Sequence, residues 1–325
     1  MITLIGILAI AIAVLLVSAD LFVRSSASVA RRAGISPLVI GMVVVGFGTS
    51  APELLVSALS AMEGASGVAL GNAWGSNIAN IGLILGVTAI ARPVVLRSGI
   101  LRRELPGLLG ATVLGGLLVL DGRLGRVDAG LVMVAMLGVT VAGIRRGSRP
   151  PVREADPFAE ELLKHADARG RGSRAGEFLG LFGGLLLLLA GSRAVVWAAR
   201  GIAESLGVSG MVIGLTVVAV GTSLPELASS LAALRRGEDE IVFGNIIGSN
   251  LFNTLAVVGL AGLIRPLSLE RASLMRDFPV MLGLTILLGL VGLSLRGRPG
   301  RVTRVEGGVL LLAYLAYVLL LFEVY

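Results

Sequence analysis

Glu53 and Glu226 each follow a proline inside an apolar stretch, in GFGTSAPELLVS (46–57) and AVGTSLPELASS (219–230). Proline lacks a backbone donor and crowds the carbonyl four residues back, here Gly48 and Gly221. In lipid a freed carbonyl costs several kcal/mol unless it faces a cavity. Thr49, Ser50, Thr222 and Ser223 add hydroxyl oxygens in the same turns, and Gly46, Gly48 and Gly221 let the chain unwind there. A second polar motif follows each carboxylate, GNAWGSNIAN (71–80) and GNIIGSNLFN (244–253). Helical spacing puts Asn72, Ser76 and Asn80 on one face, and likewise Asn245, Ser249 and Asn253. Two carboxylates among neutral oxygens suit a hard cation such as Ca²⁺ or Na⁺. No Lys or Arg is expected at their depth, so the counter-charge is a bound cation or a proton.

The elements that hold these residues are apolar spans. The chain has 325 residues, 55% hydrophobic and 15% charged, with mean hydropathy +0.92. About ten apolar runs are long enough to cross a bilayer as helices. The expected spans are 2–23, 36–60, 66–91, 105–120, 128–144, 177–200, 207–233, 240–264, 278–295 and 304–324. The fold class is therefore an all-α integral membrane protein. The first run lacks a basic leader and reads as a retained span rather than a signal peptide. The charged stretch from Arg145 to Gly176 reads as a solvated linker, with a short helix at DPFAEELLKHA capped by Asp156 and Pro157.

Lys and Arg concentrate in alternate loops, which places the linker in the cytoplasm and both termini outside, in a multi-pass plasma (cell inner) membrane. The net charge of +7 lies in those loops and reports orientation, not nucleic-acid binding. There is no cysteine, and the single His165 sits in the linker. Thiolate or histidine metal centres and Ser–His or Cys–His catalysis in the membrane are thereby excluded, and the chain reads as no enzyme.

The motifs recur at a fixed separation of 173 residues, as Gly48 with Gly221, Gly71 with Gly244, Ser76 with Ser249 and Asn80 with Asn253. More than half of positions 39–60 are identical to 212–233. Residues 1–144 form a first five-helix repeat, 145–176 the linker, and 177–325 a second. Five spans separate equivalent points, so the ten transmembrane helices make two inverted five-helix repeats, an arrangement of transporters that bind substrate at the midplane. One GSN alone would read as helix packing. Its pairing with an intramembrane carboxylate in both repeats favours ligation. Asn72 and Asn245 read equally as ligands or as partners of a neighbouring broken backbone. Trp74 and Trp197 read as packing or interfacial residues, Arg193 as snorkelling or paired with a carbonyl or headgroup, and Glu63, Glu238, Asp239 and Glu240 as solvated loop charges.

At GTSAPE with GNAWGSNIAN and GTSLPE with GNIIGSNLFN, the sequence resembles the cation/calcium exchanger superfamily, in its bacterial and archaeal sodium/calcium exchanger branch. The resemblance covers nearly the whole chain. It implies a core of eight spans, spans 1 and 6 as a sliding pair, and exchange of several Na⁺ for one Ca²⁺ by alternating access. It implies Glu53 and Glu226 as central carboxylates, with Thr49, Ser50, Ser76 and Asn80 in one half-site and Thr222, Ser223, Ser249 and Asn253 in the other. Backbone carbonyls near Gly46 and Ala219 are implied Na⁺ ligands. There is no cofactor beyond the transported ions, the surroundings are the lipid bilayer, and the working unit is a monomer. Some relatives, including the K⁺-dependent branch, carry Asp where this chain has Asn253. Ala79 replaces an aromatic residue common before the Asn, which Phe252 keeps in the second repeat. GSN stands where the proton/calcium branch carries an acidic–His arrangement. An H⁺/Ca²⁺ or other divalent-cation exchanger of the same fold is the alternative.

Overall fold

A computed structural model describes residues 1–96, 98–147, 173–207, 219–292 and 300–324. The expected short helix at Asp156, most of the linker, His165 and the start of the seventh expected span lie outside them. The long first helix, α1 (Ile2–Ala33), ends where Gly34 takes φ 66°, with Arg31 and Arg32 complementing the negative end of the helix dipole. Ser36 then caps a new helix by accepting from Val39 N at 3.3 Å, with Pro37 first in the turn.

The second span is not one helix. It runs through α2 (Pro37–Ile40), a π-helical turn (Gly41–Gly46), α3 (Phe47–Thr49) and α4 (Ala51–Glu63), bending 46° at Ser50. The third is straighter, with α5 (Ser66–Ala79), a π-helical turn (Asn80–Leu85) and α6 (Gly86–Ala91). After β1 (Val94–Leu96) come α7 (Ser98–Leu117), β2 (Arg123–Leu124) and α8 (Arg126–Gly147).

The second half repeats this order. It has α9 (Arg174–Ser205), α10 (Ala219–Thr222), α11 (Leu224–Arg235), α12 (Asp239–Leu251), a π-helical turn (Phe252–Val257) and α13 (Val258–Ile264). It continues with β3 (Leu267–Ser268), α14 (Arg271–Gly292), β4 (Gly300–Val302) and α15 (Arg304–Val324). Among the described residues, seven helices are long and apolar enough to cross a membrane, or eight if the bent pair Pro37–Thr49 and Ala51–Glu63 is one span. The molecule is mostly helical.

The all-α expectation needs a correction, because four short strands form two antiparallel ribbons. Val94 pairs with Val302 and Leu96 with Gly300, while Arg123 pairs with Ser268 and Leu124 with Leu267. Extended chain leaving a bundle end must satisfy its N–H and C=O groups, and it does so here with a segment distant in sequence.

The central layer is α2 to α6 and α10 to α13, where the turns that carry the motifs are buried. Gly244 and Gly248 of α12 lie directly on the backbone from Leu38 to Met42. A Cβ at Gly248 would sit 2.4 Å from Met42 O, and one at Gly244 the same distance from Leu38 O. A Cβ at Gly46 would sit 2.8 Å from Ser249 N. Small residues thus bring the two motifs within reach of each other. The expected close approach at Gly71 and Gly75 has no partner among the described residues; the matching segment, 208–218, lies outside them.

Around this layer, α1 and α9 pack on each other, with Gly184 against the Phe22 backbone and Gly191 against Leu15. Their outer faces expose large apolar side chains such as Ile2, Val17, Leu179 and Leu186, as do those of α8 and α15, the composition expected of a lipid-facing rim. Trp74 is buried against Phe278, with centroids 5.9 Å apart, while Trp197 is exposed.

Glu63 is exposed, as expected of a solvated charge, but the other three loop charges have partners. Glu238 accepts from Arg31 at 2.9 Å, Asp239 pairs with Arg92 and accepts from Val95 N at 2.9 Å, and Glu240 is also engaged. These bonds tie the α11–α12 turn to α1 and to the loop before α7.

Candidate cation-binding site

The two proline breaks are alike. Ser50 has φ −82° and ψ 7°, and Ser223 has φ −89° and ψ 4°. Each serine leaves the helix for one residue, and Pro52 or Pro225 then occupies the first turn of the next helix, where its missing donor does no harm. Glu53 and Glu226 follow in those same first turns, at the positive ends of α4 and α11. The break therefore does two things at once, freeing backbone and aiming a helix dipole at the carboxylate.

Both carboxylates are buried, Glu53 at 0% exposure and Glu226 at 2%, near enough to interact by charge. Neither oxygen of Glu53 has a hydrogen-bond partner among the described residues, nor has Oε2 of Glu226. Oε1 of Glu226 accepts one long bond from Ser50 Oγ, at 3.4 Å. A buried charge without donors is strongly unfavourable unless an opposite charge meets it. No lysine or arginine among the described residues bonds either group, so the oxygen set fits a cation.

The half-sites cross. Thr49 Oγ1 donates to Asn245 Oδ1 (3.2 Å), and the Val45 and Gly46 carbonyls lie at 3.0 and 3.4 Å from it. Ser249 Oγ donates to Gly46 O at 3.3 Å, and Asn80 Nδ2 to Asn250 Oδ1 at 3.0 Å. That last bond fixes the Asn80 amide and leaves its Oδ1 as a free buried acceptor. Asn253 is fully buried with both amide atoms unpartnered among the described residues, and Ser223 Oγ is likewise free. Ser76 is buried on the same face of α5. Thr222 is half-buried and hydrogen-bonded, and Ala219 opens α10.

Asn72 and Asn245 resolve as clamps on the broken backbone. Asn72 Nδ2 donates to Glu53 O (3.1 Å) and Ser57 Oγ (2.9 Å), and Asn245 Nδ2 to Glu226 O (3.1 Å) and Ser230 Oγ (3.0 Å). Each ties a carboxylate-bearing helix to the next helix.

Both carbonyls expected to be freed have a donor. Gly48 O accepts a backbone N–H at the end of α3. Gly221 O accepts from Ser192 Oγ of α9 at 3.0 Å, so its donor is a side chain of a neighbouring helix. Ala19 stands at the matching position of α1 and offers Gly48 no hydroxyl. Gly46 O already accepts from Ser50 N and Ser249 Oγ.

Asn77, Asn250, Ser57, Ser230 and Ser192 were not singled out from sequence. Asn77 and Asn250 were legible as the third residue of each GSN. The serines carry no local signal, because their partners come from other helices.

The sodium/calcium exchanger protein family model matches residues 3–144 and 176–323. The putative antiporter CaxA of Alkalimonas amylolytica is 42% identical over 97% of each chain. The sodium/calcium exchanger MaX1 of Methanosarcina acetivorans is 31% identical over 98% of each, and inner membrane protein YrbG of Escherichia coli 39% identical over 87% of each. A solved structure of the sodium–calcium exchanger NCX_Mj, soaked with zero Na⁺ and Ca²⁺, superposes with TM-score 0.84 at 30% identity, covering 99% of this chain and 100% of that one. With family model, relatives and fold in agreement over nearly its whole length, the chain belongs to the sodium/calcium exchanger protein family.

Proposed function

We propose that the protein is a secondary antiporter of cations and Ca²⁺, and that Na⁺ is its coupling ion. The observation that carries this reading is the pair of buried carboxylates at the crossing of two broken helices, with three of their four oxygens unpartnered among the described residues. Their combined charge of −2 balances one Ca²⁺ or two Na⁺, so either substrate can neutralise the same centre. Thr49, Ser50, Ser76 and Asn80 serve one half-site, and Thr222, Ser223, Ser249 and Asn253 the other. The Gly46 and Ala219 carbonyls complete the Na⁺ ligands, with Gly46 O exchanging its Ser249 bond for an ion. Nothing in this assignment is enzymatic. A neutralised core slides past α1 and α9, whereas an empty charged one is held back by desolvation.

The proposal includes ten spans in two inverted repeats, 1–144 and 177–325, a reading that the strands support. Paired strands share a membrane face. Six helical spans separate β1 from β4, and four separate β2 from β3, when α10 with α11 counts as one span. Both numbers are even. The repeat separation maps β1 onto β3, with five spans between them. The odd number inverts one half against the other. Positive loops then put 145–176 in the cytoplasm and both termini outside the cell membrane, with the monomer as the working unit. In reconstituted vesicles, Glu53→Gln and Glu226→Gln each reduce Na⁺-dependent ⁴⁵Ca²⁺ uptake at least a hundredfold. Uptake left intact in either variant contradicts the assignment.

A further inference from the structure

One ion pair joins α1 to the end of α11. Arg236 donates from Nε to Asp20 Oδ1 (2.7 Å) and from Nη2 to Asp20 Oδ2 (2.5 Å). Arg31 to Glu238 adds a second tie between the same elements, and α1 packs along α11. The repeat separation of 173 residues carries Asp20 onto Arg193 of α9 and Arg236 onto Glu63 at the end of α4. The acid and the base have changed places, so the equivalent pair has the same complementarity. The register holds at both elements. The α1 and α9 helices are each 32 residues long, and Gly64 and Gly237, which follow Glu63 and Arg236, turn at φ 82° and 73°.

In this structure the second pair is not made. Glu63 and Arg193 are both exposed, and neither has an ion pair or hydrogen bond among the described residues. The α9 helix does not pack along α4 in the way that α1 packs along α11. The other charge beside Glu63 is Arg265, whose guanidinium lies over Gly64.

We propose that Asp20–Arg236 and Glu63–Arg193 are alternating latches of the two transport orientations. The first closes the cytoplasmic side, as here. The second closes the outer side after α1 and α9 have moved together, bringing α9 along α4. Each pair must break for the other to form, so their relative strengths set the balance of the two states. The proposal rests on the alternating-access reading above and adds to it the residues that hold each end state.

The full chain carries no cysteine, so paired substitutions are free of background. Asp20→Cys/Arg236→Cys and Glu63→Cys/Arg193→Cys each join the two halves, and a protease site inserted between residues 147 and 173 reads the link on a gel. A short bis-methanethiosulfonate joins both cognate pairs, but not Glu63→Cys/Arg236→Cys, and each link arrests uptake until it is reduced. Asp20→Asn raises the external Ca²⁺ needed for half-maximal uptake and Arg193→Gln lowers it, each by about two- to fivefold, the range for exposed ion pairs. Failure of Glu63→Cys/Arg193→Cys to link in Na⁺, in Ca²⁺ and without either, in protein that transports normally, overturns the latch. So do shifts of the same sign, or none, in the two single variants. Linking of both pairs in a protein without Na⁺-dependent uptake keeps the latch and overturns the function.

Discussion

Asn72 and Asn245 make the same two bonds in the two halves, yet their surroundings differ. Asn245 is buried and also accepts the Thr49 hydroxyl, whereas Asn72 is half-buried. Loss of a buried partner leaves groups unsatisfied at about 1–3 kcal/mol. Asn245→Ala is therefore expected to lower the melting temperature in detergent, and to weaken Ca²⁺ activation, more than Asn72→Ala does. Equal effects would contradict the asymmetry. Most of the site was legible at this level, since Pro–Glu and the spaced Asn and Ser residues announce costly polar groups among lipid-facing ones. The clamping serines were not, because Ser57 and Ser230 look like any small residue until the facing helix supplies an asparagine. The fate of the Gly221 carbonyl was also hidden, because its donor, Ser192, comes from a helix 29 residues away.

The broken helices were visible as elements, but not their winding. Proline marked the breaks at Ser50 and Ser223. The π-helical turns at 41–46, 80–85 and 252–257 have no compositional mark, since they differ from α-helix only in hydrogen-bond reach. The strands were missed for a related reason, because two- or three-residue pairings are decided by a remote partner rather than by local alternation. What the glycines do between elements gives a test. Gly248→Ala drives a Cβ into Met42 O and separates α12 from the turn that carries Gly46. Overpacking of this kind costs about 1–3 kcal/mol. The variant should melt at lower temperature and lose Ca²⁺ activation, while Gly183→Ala, where a Cβ meets nothing within 4 Å, should change neither. An unaffected Gly248→Ala would show that the close contact does not position the site.

Across the molecule, the repeat was the strongest signal in the sequence, and it organises what the structure adds. The carboxylates, the clamps, the turn glycines and the ribbons all occur twice. Symmetry is broken in the sequence at Ser192 against Ala19, and in the structure by the made against the unmade ion pair. Sequence alone could not show which of the two pairs is made, because the 173-residue repeat encodes both. The whole account stands on the exchange of one substrate for another at a shared charged centre. The most direct test is ⁴⁵Ca²⁺ uptake into Na⁺-loaded proteoliposomes placed in Na⁺-free medium. The account predicts uptake that needs internal Na⁺ and collapses when the Na⁺ gradient is dissipated. Uptake that ignores Na⁺ and follows an imposed pH gradient would contradict Na⁺ coupling.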